Sequence, residues 1–312
     1  MIKNLALLFV WCVLRWFIYV LPKMLVLGVC GMLGGLAVRS GRGALMRDEL
    51  RLLQGGLSDD EYKGMAKKAY ASMIKDEEER LFFDRKKRML SIVDFEGLDY
   101  LDNALSRGRG AVLALMHFSN HLLVIPALGY KGYSVCQLAE AGPSEQGPDK
   151  IGLLAGMVRR RRRHIGDKMP ARIIIADRLG KRAHEALKNN GVLLCAVDGR
   201  LGANMRQYDF LGRPMLLSNG IFRIAQSCRA PIMPLFIVRG DNGVHTLTIG
   251  RPIEYSSPDD GVERFLGVFK GYFLKYPHFY APNLMFERIR AGHDKVNPLF
   301  LDYGKAGHER AS

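Results

Sequence analysis

Hydrophobic positions divide the chain into an apolar start and a long alternating body. Residues 5–21, LALLFVWCVLRWFIYVL, are broken by a single charge, Arg15. After Pro22 and Lys23, residues 24–38 are again apolar and rich in glycine. Seventeen helical residues reach about 25 Å, close to a bilayer core of about 30 Å. The first run is too long for the core of a usual signal peptide, and no clear small-x-small site follows it. Trp11, Trp16, Phe17 and Tyr19 suit a membrane interface. These features predict a retained anchor, either one spanning helix or a pair lying partly in one leaflet. Arg39, Arg42, Arg47 and Arg51 follow it, which places the rest of the chain on the cytoplasmic side.

The body alternates between two periods. Ser58 with Glu61 three residues later forms a capping box that opens a helix running towards Met89. Strands are predicted over 91–96, 111–116, 135–139, 192–197 and 232–238, with a more exposed one over 245–249. Helices are predicted over 100–106, 181–189 and 215–228. Strands alternating with helices give an α/β fold with a mostly parallel central sheet flanked by helices. The expected organisation is an anchor over 1–40, an α/β domain over 41–300 and a polar tail over 301–312.

With 312 residues, 48% of them hydrophobic, the chain is neither disordered nor a disulfide miniprotein. Lys+Arg total 46 against Asp+Glu 31, a net charge of +15. That excess fits an anionic membrane surface, an acidic carrier protein or nucleic acid. The basic run over 159–163 has no interleaved aromatic residues and lies in no nucleic-acid module, so the expected partners are membrane or carrier. The five cysteines, Cys12, Cys30, Cys136, Cys195 and Cys228, include no CxxC pair and read as free thiols. Residues 76–79 are four consecutive acids. Consecutive helical side chains point in different directions, so they read as a solvated face rather than a metal site. The remaining histidines show no ligand spacing, and no metal is expected.

The residues that suggest chemistry fall where α/β sheets bind ligands, beyond the carboxyl ends of strands. His117-Phe-Ser-Asn120-His121 follows the strand 111–116, and Asp198-Gly-Arg200 follows the strand 192–197. A histidine and a carboxylate at one rim can form a general base and its orienting partner.

The run Gly110-Ala-Val-Leu-Ala-Leu-Met-His117-Phe-Ser-Asn120 resembles the "grGvil.t.HfGNwE" block of the bacterial lipid A biosynthesis acyltransferases. Three further blocks, in the same order, are similar to that family. These are Leu187-Lys-Asn-Asn-Gly191 through Asp198, Phe210-Leu-Gly212-Arg213-Pro214, and residues 221–239. The resemblance implies a glycerolipid acyltransferase-like fold. It also implies transfer of a fatty acyl chain from an acyl carrier protein thioester to a lipid acceptor, with His117 as general base and no metal, cofactor or acyl-enzyme. Arg200, Gly212 and Arg213 are candidates for meeting the charge that develops on the carbonyl oxygen, and Asn120, His121 and Arg159 for lining the site. The location implied is the cytoplasmic face of the inner membrane.

The family pattern places a carboxylate five residues after the histidine, where this chain has Leu122. Asp198 or Glu140 then orients His117, or His121 contributes, or the alignment is out of register. Otherwise catalysis is lost and the chain is a non-catalytic lipid- or carrier-binding member. The family's C-terminal tryptophans are also missing from the stretch 276–283.

Overall fold

The computed structural model describes residues 37–139, 163–175, 179–200, 204–291 and 297–304, with Gly28, Met32, Gly34, Gly35 and Arg160. The expected anchor over 5–21 lies outside them, as do Glu140, the helix-like stretch 151–158, Arg159 and residues 305–312. Among the described residues no helix is long and apolar enough to cross a membrane. Gly34 and Gly35 are helical, and they meet the long helix of the body: a Cβ on Gly34 would sit 2.7 Å from the Lys67 carbonyl oxygen.

Two capped helices open the body. Helix α1 (Gly41–Leu53) takes its cap from Ser40, and α2 (Asp59–Arg80) has the predicted Ser58–Glu61 capping box. Helix α2 does not continue to Met89 but stops at Arg80, and a short α3 (Lys86–Leu90) follows. Phe82 and Phe83 lie between them, 0% and 3% exposed. The chain leaves the α2 axis at this point, and both rings enter a single core cluster with Met89 of α3.

The central sheet runs β1 (Val93–Glu96), β9 (His245–Ile249), β8 (Ile232–Arg239), β2 (Ala111–Leu115), β5 (Val192–Ala196), β3 (Val135–Ala139), β4 (Ala171–Ile175) across its width. From β8 to β4 neighbouring strands are parallel; β9 runs antiparallel to β8, and β1 parallel to β9. Strand β2 is buried at all five positions, as expected of a parallel strand covered on both faces. Its alternate residues divide between two cores, Val112 and Ala114 in one and Ala111, Leu113 and Leu115 in the other. Helices α4 (Leu98–Leu105), α5 (Val124–Tyr130), α6 (Leu179–Lys188), α7 (Gly220–Cys228), α8 (Pro258–Lys275) and α9 (Ala281–Ala291) complete the layers.

Strand β9 is not the exposed strand its sequence suggests: β1 covers its outer edge, and His245 is fully buried. The predicted helix 215–228 divides into a strand and a helix. Residues Met205–Phe210 (β6) and Arg213–Ser218 (β7) form a two-stranded antiparallel hairpin, and only Gly220–Cys228 is helical. The turn is Leu211–Gly212, with φ of 55° and 80°, the left-handed pair a two-residue hairpin requires. Arg213, Met215 and Leu217 point inward on alternate positions, and tertiary pairing overrides the helix-like local pattern. The packed body extends to Gly304: Phe300 is fully buried, and Tyr303 donates to the Glu49 carboxylate at 2.8 Å. Residues 301–304 therefore belong to the fold rather than to a tail.

Candidate active site

Strands β2 and β5 are hydrogen-bonded neighbours, with Leu115 opposite Ala196. Two residues beyond each of these positions stand His117 and Asp198. The His117 Nδ1 lies 2.8 Å from Asp198 Oδ1. The sequence placed both at one rim, and the structure brings them into contact.

Asp198 is held from every side. Its side chain is 0% exposed, whereas the His117 ring is 38% exposed towards the cleft. The His117 backbone N–H donates to both carboxylate oxygens at 3.1 Å, and Tyr280 Oη and Asn283 Nδ2 each donate to Oδ2 at 3.0 Å. A buried carboxylate with this many donors stays ionised. Burial works to raise the Asp198 pKa, but His117 and the surrounding donors outweigh it, and the net shift is downward. Burial likewise works to lower the His117 pKa, and the Asp198 charge reverses it, so the imidazole titrates above its ordinary value. An ionised carboxylate only accepts, so His117 Nδ1 carries the proton and Nε2 keeps its lone pair.

The His117 ring lines a cleft of about 280 Å³, together with Ser119, Asn120, His121, Leu122 and Asn283. His121 meets His117 edge-on, with ring centroids 4.8 Å apart. Burial and the neighbouring His117 push the His121 pKa down to about 3, so this second imidazole is neutral. Its Nδ1 is buried with no hydrogen-bond partner among the described residues. Ser119 adopts a left-handed φ of 53° and donates its N–H to Phe279 O at 3.0 Å. It stands where the resembling motif has glycine.

Asn120 is 4% exposed and turns away to anchor the loop. Its Nδ2 donates to Glu79 Oε2 at 2.8 Å, which also accepts from Arg239 at 2.8 Å and from His245 Nε2 at 2.9 Å. Burial works to raise the Glu79 pKa, yet His245 and Arg239 bring it down to about 2. This overturns the reading of residues 76–79 as a solvated face. Glu78 and Glu79 are 6% and 3% exposed, Glu78 pairs with Lys75 and Arg88, and Asp76 with Arg239. The partners of Asp76 and Glu79, Arg239 and His245, come from elsewhere in the chain, so the local sequence could not show them.

Three other candidates are placed away from the cleft lining. Arg213 is 6% exposed and grips Asp302 through Nε and Nη2 and Glu49 through Nη1, each at 3.0 Å. Its guanidinium lies 4.0 Å over the Phe300 ring. All three of these donors face fold-closing partners, and Arg213 is not among the residues that line the cleft. Gly212 is the exposed second turn residue of the β6–β7 hairpin. Arg200, two residues from Asp198, forms an ion pair with Glu287 of α9. Sequence reasoning missed Tyr280, Asn283, Glu79, Arg239 and His245. Tyr280 and Asn283 lie in the very stretch read only as lacking tryptophan. Among the described residues no group of His, Cys, Asp or Glu could hold a metal ion.

The family model for the bacterial lipid A biosynthesis acyltransferases matches residues 2–264. Comparison with curated proteins gives no match.

Proposed function

We propose, from the chain's membership of the bacterial lipid A biosynthesis acyltransferase family, that it transfers a fatty acyl chain to a hydroxyl of a lipid A precursor or related lipid, with His117 as general base and Asp198 as its positioning partner. The chain is an acyltransferase by family. The donor in this reading is an acyl carrier protein thioester. His117 Nε2 takes the proton of the acceptor hydroxyl as its oxygen attacks the thioester carbonyl carbon. The tetrahedral intermediate then expels the thiolate, the C–S bond breaks, and the imidazolium returns its proton to sulfur. Asp198 fixes the tautomer and stabilises the imidazolium between these steps.

The observation that carries this reading is the 2.8 Å contact between His117 Nδ1 and Asp198 Oδ1. The non-catalytic alternative was motivated by Leu122 at the usual carboxylate position. It loses that motive once a carboxylate contacts His117 from β5. Residues 1–40 serve in this proposal as the inner-membrane anchor, with residues 41–304 as the catalytic unit on the cytoplasmic face. The contact of Gly34 and Gly35 with α2 near Lys67 and Ala71 supports it. Ser72, Met73 and Asp76, which line the cleft, follow Lys67 and Ala71 on the same helix.

The test is acyl transfer in membranes carrying the full chain or its His117→Ala variant, with labelled acyl carrier protein thioester. A labelled lipid that disappears in the variant is the expected result. Equal labelling by both proteins would remove His117 from the chemistry.

A further inference from the structure

A second cavity, of about 570 Å³, opens at the opposite edge of the sheet. It lies among the loop before β2, the turn before β8 and the segment after β9, at the amino ends of β2 and β8. His117 follows the carboxyl end of β2. Five residues of strand separate the two edges by about 17 Å, with a packed sheet between them.

The walls are basic. Arg107, Arg109 and Arg229 line the cavity from two separate turns, against one carboxylate in the lining, Glu254. All three arginines are exposed, and none has an ion pair or a side-chain hydrogen bond among the described residues. Arg251, next in sequence to the lining residue Pro252, donates to Tyr100 Oη at 3.1 Å. Tyr100, Tyr255, Pro231 and Ile253 supply an apolar and aromatic wall.

The frame is rigid. Asn190 accepts from Gly110 N–H at 2.9 Å and donates to Leu105 O at 3.0 Å, pinning both ends of the Arg107–Arg109 loop. Tyr255 Oη donates to Phe222 O at 3.0 Å. Arg229 ends α7 in a left-handed conformation, φ 52°, a place where glycine costs least. An arginine there is strained, and from that position it lines the cavity.

We propose that this cavity binds a phosphorylated organic molecule, its phosphoryl oxygens held by Arg107, Arg109 and Arg229 and its organic part against Tyr100 and Tyr255. Guanidinium forks match phosphoryl oxygens two at a time. The volume is that of a small-molecule site, where pockets span about 300–1,000 Å³, and exceeds what a bare anion needs. Phosphoryl groups reach such a site from a soluble phosphoester or from a phospholipid headgroup, and the two are separable.

The experiment is calorimetric titration of the full chain, held in neutral phosphatidylcholine discs, with adenosine diphosphate and in parallel with water-soluble short-chain phosphatidylglycerol. Wild-type protein is expected to bind at least one probe. Arg229→Gly, which removes the guanidinium and also the backbone strain, weakens that binding by about tenfold or more, as does Arg107→Ala with Arg109→Ala. His117→Ala leaves it unchanged. Binding of the diphosphate points to a soluble ligand, and binding of the short-chain lipid alone points to a headgroup. The proposal is overturned if neither probe binds, if Arg229→Gly binds as wild type does, or if His117→Ala abolishes binding. None of these outcomes bears on acyl transfer at the other edge.

Discussion

Replacing Asp198 by asparagine keeps the side chain's shape and changes which of its atoms accept. Oδ2 accepts from Tyr280 and Asn283 at 3.0 Å, Oδ1 faces the imidazole Nδ1, and the His117 backbone N–H is shared by both oxygens at 3.1 Å. An amide has one acceptor oxygen, and it will turn that oxygen to the side with more donors. Its NH₂ then points at His117 Nδ1, which must accept instead of donate. The proton moves to Nε2, the atom that should receive the acceptor's proton. In serine proteases the same tautomer error costs about 10⁴ in kcat, and a loss of about 10³–10⁴ is expected here.

The pH profile supplies an independent sign. His117 is active when neutral, so activity falls as pH drops through its pKa. The shift is upward from 6.5, which places the acid limb of kcat/KM above that value in the wild type. Without the Asp198 charge burial and the Arg290 charge remain, both lowering the pKa, and the limb moves to lower pH in Asp198→Asn. Initial rates with an acyl carrier protein thioester across pH 5–9 read both effects, with circular dichroism to confirm folding. Activity within about threefold of wild type, at an unmoved limb, would refute the tautomer reasoning.

Three further outcomes follow from the same geometry. Glu79→Gln leaves Arg239 and His245 short of a buried counter-charge and destabilises the fold by about 3–5 kcal/mol at neutral pH, measured by urea unfolding. Because the Glu79 pKa is depressed from 4.5 to about 2, its contribution is present above pH 4.5 and is lost as pH falls towards 2; the variant should show a shallower acid slope there, and an unchanged slope would exclude this role. Ser119→Gly removes a left-handed serine and a buried hydroxyl without a partner among the described residues. It should stabilise by about 1–2 kcal/mol net of chain entropy, and a lower Tm would contradict the assignment. Gly110→Ala should lose about 1–3 kcal/mol from its left-handed φ and more from repulsion, since the new Cβ would lie 2.7 Å from the Gly191 carbonyl; soluble, equally stable protein would count against it.

What the sequence displayed was whatever burial writes locally. Strands β2, β5 and β8 are continuous apolar runs because both faces of the sheet are covered, and the ends of β2 and β5 marked His117 and Asp198. The β6–β7 hairpin was hidden because 215–228 has a helix-like apolar spacing, and its strand exists only through pairing with β6. The Glu79 cluster was hidden for a related reason. A carboxylate whose partners lie 160 and 166 residues away looks solvated when only its neighbours are read. Tyr280 and Asn283 carry no motif, and their use is decided by where α9 meets the end of β5.

The ladder between β2 and β5 explains how the site dispenses with a carboxylate at position 122. The register pairs residues 81 apart from Ala111↔Val192 to Leu115↔Ala196, and His117 and Asp198 are also 81 apart. Continuing the strands by two residues therefore sets both side chains on one face of neighbouring strands, about 5 Å between chains. A partner supplied this way is positioned by the sheet, not by the loop after His117. Leu122 is then free to pack beside the second core cluster. Restoring a carboxylate there, as Leu122→Asp in the Asp198→Asn background, should not recover acyl transfer, because Nδ1 faces the end of β5 and the donors that fix a carboxylate, the His117 N–H, Tyr280 Oη and Asn283 Nδ2, converge on position 198. Recovery to within about tenfold of wild type would show that the ring turns to meet the loop, and that the strand register does not decide its orientation.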